Sequence, residues 1–94
     1  MNTILYVRHN ETISLFAQHN QCKEIAKRYG FHIKERVFDY SGDLLHEAIN
    51  KIISDNETTT LIIYSNDVVF NSSEDSLFYS IYLKKLGKQI ITVK

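Results

Sequence analysis

The segment TLIIY at residues 60–64 is almost continuously apolar. A short apolar run of this kind is typical of a strand in a parallel sheet that is covered on both faces. Three other segments are rich in residues that favour strands. They are TILYVR at residues 3–8, FHIKERVFD at residues 31–39 and QIITV at residues 89–93. The sequence therefore predicts four strands.

Three helices are predicted between the strands, because apolar residues there recur at steps of three and four. They cover residues 11–29, 44–53 and 72–86. We expect Asn10 or Thr12 to cap the first helix and Ser72 to cap the third. The predicted buried faces are Leu15, Gln18, Cys22, Ile25, Ala26 and Tyr29 in the first helix, Leu45, Ala48, Ile49 and Ile52 in the second, and Phe78, Ile81, Tyr82 and Leu86 in the third.

The regular alternation of strands and helices predicts an α/β fold. Such chains form a mostly parallel sheet with helices on both faces and right-handed crossovers. We expect a three-layer α/β/α domain with a four-stranded parallel sheet in the order 2-1-3-4. Residues 1–94 are expected to form this single domain, since domains usually contain roughly 100–150 residues.

Composition excludes several classes of protein. Eleven basic and eleven acidic residues give a net charge of zero, which argues against a strongly basic nucleic-acid binder. With Cys22 as the one cysteine, the chain can form neither an intrachain disulfide nor a thiolate zinc cage. No segment resembles a signal peptide or a membrane span of about 18 apolar residues. We therefore expect a cytoplasmic protein without membrane contact.

The candidate site lies where neighbouring strands end. In open parallel sheets, ligands bind beyond the carboxyl ends of the strands, at the point where the strand order reverses. That point is expected between the first and third strands. The residues that follow the first three strands are Arg8, His9 and Asn10, then Asp39, Tyr40 and Ser41, then Ser65, Asn66 and Asp67.

Arg8 and Asp67 allow two interpretations of this edge. They could form an ion pair that steadies the strand ends. Alternatively, Arg8 could bind a phosphate or carboxylate together with the amino end of the first helix, with Asp67 orienting it. Gln18, on an apolar helix face, is either a residue at the rim or a polar group aimed at this site. Either way, we expect the two charged side chains to lie in contact or one water apart.

Cofactors are not expected. Residues 7–12 contain no glycine, so the backbone cannot approach a pyrophosphate as it does in glycine-rich nucleotide loops. The four histidines have neither H-x-x-x-H nor H-E-x-x-H spacing, which disfavours a metal site. Cys22 lies in the middle of the first helix on its apolar face, where a packed thiol is expected.

Four segments, taken with the element order, resemble one known family. Residues 6–10 (YVRHN) stand where that family has Tyr-x-Arg-hydrophobic-Ser, and residues 39–42 (DYSG) are similar to its Asp-x-x-Ser-Gly region. Residues 14–30 look like its first helix, and residues 60–71 (TLIIYSNDVVFN) align with the strand that leads to Asp-Arg-Leu-x-Arg. The resemblance is to the amino-terminal catalytic domain of the serine recombinases, the resolvase and invertase family.

The departures from this family concern its chemistry. Where the family has the serine that attacks the DNA phosphodiester, this chain has Asn10, and the two arginines of Asp-Arg-Leu-x-Arg are Val68 and Asn71. The resemblance thus implies a vestigial recombinase site, made of Tyr6, Arg8, Asn10, Gln18 and Asp67. The 94 residues include neither the family's long dimerisation helix nor its helix-turn-helix domain, so we expect weak DNA binding or none by this chain alone.

Three functions remain open. The first is a non-catalytic recombinase-like domain, a pseudoenzyme that contacts a protein partner or a second copy of itself and regulates recombination or another mobile-element process. The second is a small anion- or nucleotide-binding module around Arg8. The third is a DNA strand-transfer enzyme in which Ser14, Ser41 or Ser65 replaces the lost nucleophile. Exposed clustering of the aromatic residues would favour the first; those of interest are Tyr40, Phe70, Tyr79 and Tyr82.

Overall fold

Four strands form one sheet in the computed structural model, which describes residues 2–94. They are β1 (Asn2–Arg8), β2 (His32–Asp39), β3 (Thr58–Ile63) and β4 (Gln89–Thr92). All three pairings are parallel and the order is β2-β1-β3-β4. The predicted sheet is confirmed, and its order reverses between β1 and β3.

Four helices connect these strands. They are α1 (Leu15–Tyr29), α2 (Leu45–Ser54), α3 (Asn66–Val69) and α4 (Ser73–Lys85). The single turn α3 was not predicted. It forms because the Ser65 hydroxyl caps it by accepting a hydrogen bond from the Val68 amide at 3.3 Å. The helix α4 begins as predicted, with the Ser72 hydroxyl accepting from the Asp75 amide at 3.1 Å.

The core has two halves, one on each face of the sheet. On one face, α1 packs through Cys22 and Ala26 against the central strands. On the other, α2, α3 and α4 cover a larger cluster that includes Ile52, Val69 and Leu83. Alternate residues of β3 enter the two halves, and Leu61, Ile62 and Ile63 are all fully buried. This double coverage explains the continuous apolar run of that strand.

The first helix begins later than predicted. Asn10 and Thr12 do not cap it; the helix begins at Leu15, and Ser14 is its cap, with the Ser14 hydroxyl accepting from the Ala17 amide at 3.1 Å. The Asn10 side chain instead closes a local turn, in which its Oδ1 accepts hydrogen bonds from Thr12 at 2.8 Å and Ile13 at 3.3 Å. A short polar side chain followed by such a turn competes with helix formation, which accounts for the shift.

The predicted buried face of α4 is wrong. Phe78, Ile81, Tyr82 and Leu86 are exposed, while the residues of α4 that lie in the interior are Ser76 and Leu83. Apolar residues occur on nearly every side of this helix, so their spacing could not identify the face that packs on the sheet. The consequence is a broad apolar surface facing outward.

Candidate functional site

The carboxyl ends of β1 and β2 are joined by a buried carboxylate. Arg8 and Asp39 are register partners at the last pair of the β1–β2 ladder. Asp39 is fully buried and accepts a hydrogen bond from the Tyr6 hydroxyl. Its two oxygens also accept from the backbone amides of Gly42 at 2.7 Å, Asp43 at 3.1 Å and Leu44 at 3.0 Å. Asp39 thereby fixes the turn that leads into α2.

The electrostatics of this cluster follow from burial and hydrogen bonding. Burial raises the pKa of Asp39, but the hydrogen bonds from Tyr6, Leu44 and Gly42, with the charge of Arg8, outweigh it and hold that pKa below its usual value. Burial also raises the pKa of Tyr6, and the adjacent Asp39 carboxylate raises it further. Asp39 is therefore ionised and Tyr6 protonated at neutral pH, so the hydroxyl donates its hydrogen bond to a carboxylate.

The Arg8 guanidinium lies across the turn that Asp39 holds. Its Nη1 donates a hydrogen bond to the Val69 carbonyl, so it links β1 to the end of α3. Gly42, at φ +89°, passes so close that a Cβ there would lie 2.7 Å from Arg8 Nη2. The left-handed backbone at Gly42 favours glycine, and a side chain there would displace the flexible end of Arg8.

Gln18 holds the backbone at the end of β1. Its Nε2 donates to the carbonyls of Arg8 at 2.7 Å and Ile13 at 3.1 Å, and its Oε1 accepts from the Arg8 amide at 3.2 Å. The side chain is fully buried, so the rim interpretation is wrong. The alternative, a polar group aimed at a ligand, is wrong as well. Both the nitrogen and the oxygen of the Gln18 amide are hydrogen-bonded to backbone groups of its own chain.

Asp67 does not pair with Arg8. Within residues 2–94 the ion pairs are Lys34–Asp55 and Lys51–Glu35, and neither involves the candidate site. Asp67 is exposed in the first turn of α3 and lines a separate hollow. The predicted ion pair is therefore wrong. Asp39 is the carboxylate beside Arg8 in the register of β1 and β2, and the charge of Arg8 contributes to lowering the pKa of Asp39.

The three serines considered as replacement nucleophiles all accept hydrogen bonds from backbone amides. Ser14 and Ser65 cap α1 and α3. The Ser41 hydroxyl accepts from the Asp43 amide at 3.4 Å. In the described part of the chain, none of the three is hydrogen-bonded to a histidine or carboxylate that could remove its proton. A hydrogen bond to such a base is the usual arrangement of an activated serine nucleophile.

A cleft of about 390 Å³ opens beside Arg8. Asp43, Asp75 and His46 share its walls with the arginine, so carboxylates outnumber guanidinium groups. Asn71 also lines this cleft, whereas Val68 packs against the apolar core. The cleft thus lacks the positive surround that a phosphate-transfer site requires.

The four aromatic residues of interest do not form one patch. Tyr40 and Tyr82 are exposed, whereas Phe70 is buried and stacks on the half-buried Tyr79 at a centroid distance of 5.6 Å. Tyr40 borders a second hollow, of about 490 Å³, together with Asn10, Phe16 and Phe38. Tyr40 and Tyr82 therefore belong to two different surfaces, one beside Asn10 and one on α4.

Other predicted features can be placed briefly. Cys22 is a packed thiol, as expected, and burial raises its pKa to about 12. Among residues 2–94, no group of three histidine, cysteine or carboxylate side chains is arranged to hold a metal ion. None of the helices described here has the length and apolar character needed to cross a membrane.

Comparison with known proteins gives the fold a family context. No protein-family model and no curated protein matches the chain. The N-terminal catalytic domain of TP901-1 integrase superposes with a TM-score of 0.82 at 20% identity, covering 99% of this chain and 77% of that one. The C-terminal catalytic domain of IS1535 TnpA, an IS607-like serine recombinase, superposes with a TM-score of 0.71 at 18% identity, covering 96% of this chain and 69% of that one. The chain therefore has the fold of a serine recombinase catalytic domain.

Proposed function

We propose that this chain is a recombinase-like domain that neither cuts nor joins DNA and acts through protein contacts. Through these contacts the domain would regulate recombination or another mobile-element process. The observation that carries the proposal is Asn10, at the position that corresponds to the family's nucleophile. Its side-chain oxygen already accepts two backbone hydrogen bonds within its own loop.

The chemistry of Asn10 supports the proposal. Attack on a phosphodiester requires an oxygen that can lose a proton and carry negative charge. A carboxamide has no such oxygen, because its carbonyl oxygen carries no proton to lose and its nitrogen lone pair is delocalised over the amide. Turning the side chain toward DNA would also leave the Thr12 and Ile13 amides without their present partner. A covalent protein–DNA linkage at this residue is therefore not expected.

The distribution of charged residues around Arg8 supports the non-catalytic proposal independently. Phosphoryl transfer needs cations where negative charge develops, and losing a single stabilising donor typically costs about 10²–10³ in rate. Val68 and Asn71 offer no cation at the positions of the family's two arginines. Arg8, the cation that remains, is hydrogen-bonded to Val69 and faces a cleft that also contains Asp43 and Asp75.

The Arg8 cleft favours a second candidate function, a small anion-binding module. Its volume of about 390 Å³ would admit a phosphate or a small carboxylate. The two carboxylates on its walls oppose this by repelling an anion. Titration with inorganic phosphate, followed by NMR of the Gly42 and Asp43 amides, separates the candidates. Saturable shifts that Arg8→Gln removes support the anion module, whereas no shift at millimolar phosphate counts against it.

Incubation with supercoiled plasmid tests the absence of catalysis. We expect no nicking and no covalent protein–DNA adduct on a denaturing gel, for the unmodified protein and for Asn10→Ser alike. Restoring the serine leaves Val68 and Asn71 in place, so it should not restore turnover. Ser14→Ala, Ser41→Ala and Ser65→Ala serve as matched variants. An adduct that one of these three variants abolishes would establish a displaced nucleophile and overturn the proposal.

A further inference from the structure

We infer that the chain self-associates through the outward face of α4, which pairs with α4 of a second copy in antiparallel orientation. This inference rests on the proposed function, in which the domain acts through protein contacts, and it names the partner and the surface. The apolar residues of α4 that were expected in the core lie on its solvent side.

The exposed face has the residue spacing of a helix-pairing seam. Glu74, Phe78, Ile81 and Lys85 follow one another at intervals of four, three and four, and all four are exposed. This spacing keeps residues in line along one side of a helix and is the spacing of the contact positions in coiled coils. Leu77 and Tyr82, also exposed, flank the seam on either side. The seam is about 16 Å long at 1.5 Å per residue.

The order of residues along the seam is self-complementary. In an antiparallel pair with a twofold axis between residues 79 and 80, Glu74 lies opposite Lys85 of the second copy and Phe78 lies opposite Ile81. Each acidic end then meets a basic end, while the apolar residues meet in the middle. A twofold interface requires this kind of self-matching surface. A partner with a uniformly acidic or basic helix would match one end and repel the other, so the charges select a second copy.

The helix dipole alone does not explain the residues on the exposed face of α4. Acidic residues in the first turn and basic residues in the last turn also suit the helix dipole. The dipole, however, gives no reason for Phe78 and Ile81 to remain 61% and 47% exposed between them. Neither Glu74 nor Lys85 belongs to an ion pair formed within residues 2–94. Both charges are therefore available to a second copy.

Charge reversal at the two ends of the seam tests the inference. Sedimentation across about 1 µM to 1 mM, a span that brackets weak association, should show a dimer for the unmodified chain. Glu74→Lys makes both ends basic and Lys85→Glu makes both acidic, so each should raise the dimer Kd by at least about tenfold.

The double variant Glu74→Lys/Lys85→Glu should recover the dimer. A mixture of the two single variants should form a heterodimer, because each end then meets its opposite. Glu47→Lys, an exposed charge reversal on α2, is the matched control and should leave the Kd unchanged.

The outcomes distinguish this inference from the proposed function. A chain that stays monomeric throughout the range overturns the α4 pairing, and so does a dimer that is insensitive to charge reversal at the seam. Neither result bears on whether the domain cuts DNA, which the plasmid assay decides. A monomeric chain that forms no adduct would thus leave the non-catalytic proposal standing and end the dimer inference alone. Circular dichroism of each variant confirms that the fold is intact.

Discussion

The helices α1 and α4 depart from the usual distribution of polar and apolar residues in opposite directions. The first buries Gln18 completely, and the second exposes Phe78 and Tyr82. Three hydrogen bonds to backbone groups satisfy the buried amide of Gln18, so its place in the interior is explained within one chain. Within residues 2–94, no other element covers the outer face of α4. A buried polar residue with all its partners therefore indicates architecture, whereas an uncovered apolar face with self-matching charges points to a partner.

The largest expected effect is on Gln18. Gln18→Leu leaves the Arg8 amide and the Arg8 and Ile13 carbonyls without their partner, and we expect a loss of about 3–4 kcal/mol in the free energy of unfolding. Gln21→Leu, on the exposed side of the same helix, is the matched control and should stay within about 0.5 kcal/mol. Urea unfolding followed by circular dichroism measures both. Equal effects of the two substitutions would contradict the backbone role of Gln18.

A pair of substitutions on α4 separates its two faces. Leu83→Ala removes a fully buried side chain and should cost about 3 kcal/mol. Phe78→Ala, on the exposed seam, should change the stability of the monomer by less than about 0.5 kcal/mol while weakening self-association. Unfolding at a dilution where the chain is monomeric gives the first quantity and sedimentation gives the second. If Phe78→Ala destabilised the dilute monomer as much as Leu83→Ala, the outward assignment of this face would be wrong.

The two glycines that border the site and α1 differ in their surroundings. Both adopt positive φ, but a Cβ at Gly42 would meet Arg8 at 2.7 Å, whereas one at Gly30 meets nothing within 4 Å. We expect Gly30→Ala to cost about 1 kcal/mol from the backbone conformation alone. Gly42→Ala should cost about 2 kcal/mol, at the upper end of this conformational cost, and should also displace the guanidinium, which the NMR signal of Arg8 Nε would report. An unshifted Arg8 signal in Gly42→Ala would refute the close approach.

The smallest effect concerns the pH dependence of the Tyr6–Asp39 pair. The pKa of Asp39 is lowered in the folded chain, so its contribution to stability is present above the unfolded value of about 3.9 and is lost as the pH falls through the folded value. Tyr6→Phe removes one of the hydrogen bonds that lower this pKa. We expect a cost of about 1.5 kcal/mol at pH 7 that diminishes below about pH 4. Unfolding curves between pH 2 and pH 7 measure it, and a cost independent of pH would contradict the assignment.

The sheet could be predicted because its evidence is local. The apolar run at residues 60–64 and the alternation of segments were sufficient for the strand order and for both covered faces. The carboxylate beside Arg8 could not be predicted in the same way. Asp39 lies next to Arg8 because of the register between β1 and β2, which includes an irregularity between Thr3 and Ile4. Such pairing depends on the three-dimensional alignment of two strands, so position after a strand suggested Asp67 instead.

The prediction of the buried face of α4 was wrong for a different reason. Spacing identifies the buried side of a helix when apolar residues occupy one side, as they do in α2, where Ala48, Ile49 and Ile52 are buried as predicted. When a helix also carries a second apolar surface, residue spacing is compatible with either surface being the buried one and cannot distinguish between them. The surplus apolar surface is the one through which we propose that the chain pairs.

The central place of β1 in the sheet also constrains how the chain folds during synthesis. This strand is made before β2 and β3, yet it pairs with both of them. Its pairing with β2 can form once residue 39 has left the ribosome, but its other edge stays open until residue 63 has followed. During that interval the chain presents an unpaired, strongly apolar edge, which is the kind of surface that aggregates or recruits chaperones. Conditions that slow elongation between residues 40 and 63 should therefore reduce the yield of soluble protein even though the finished fold is unchanged.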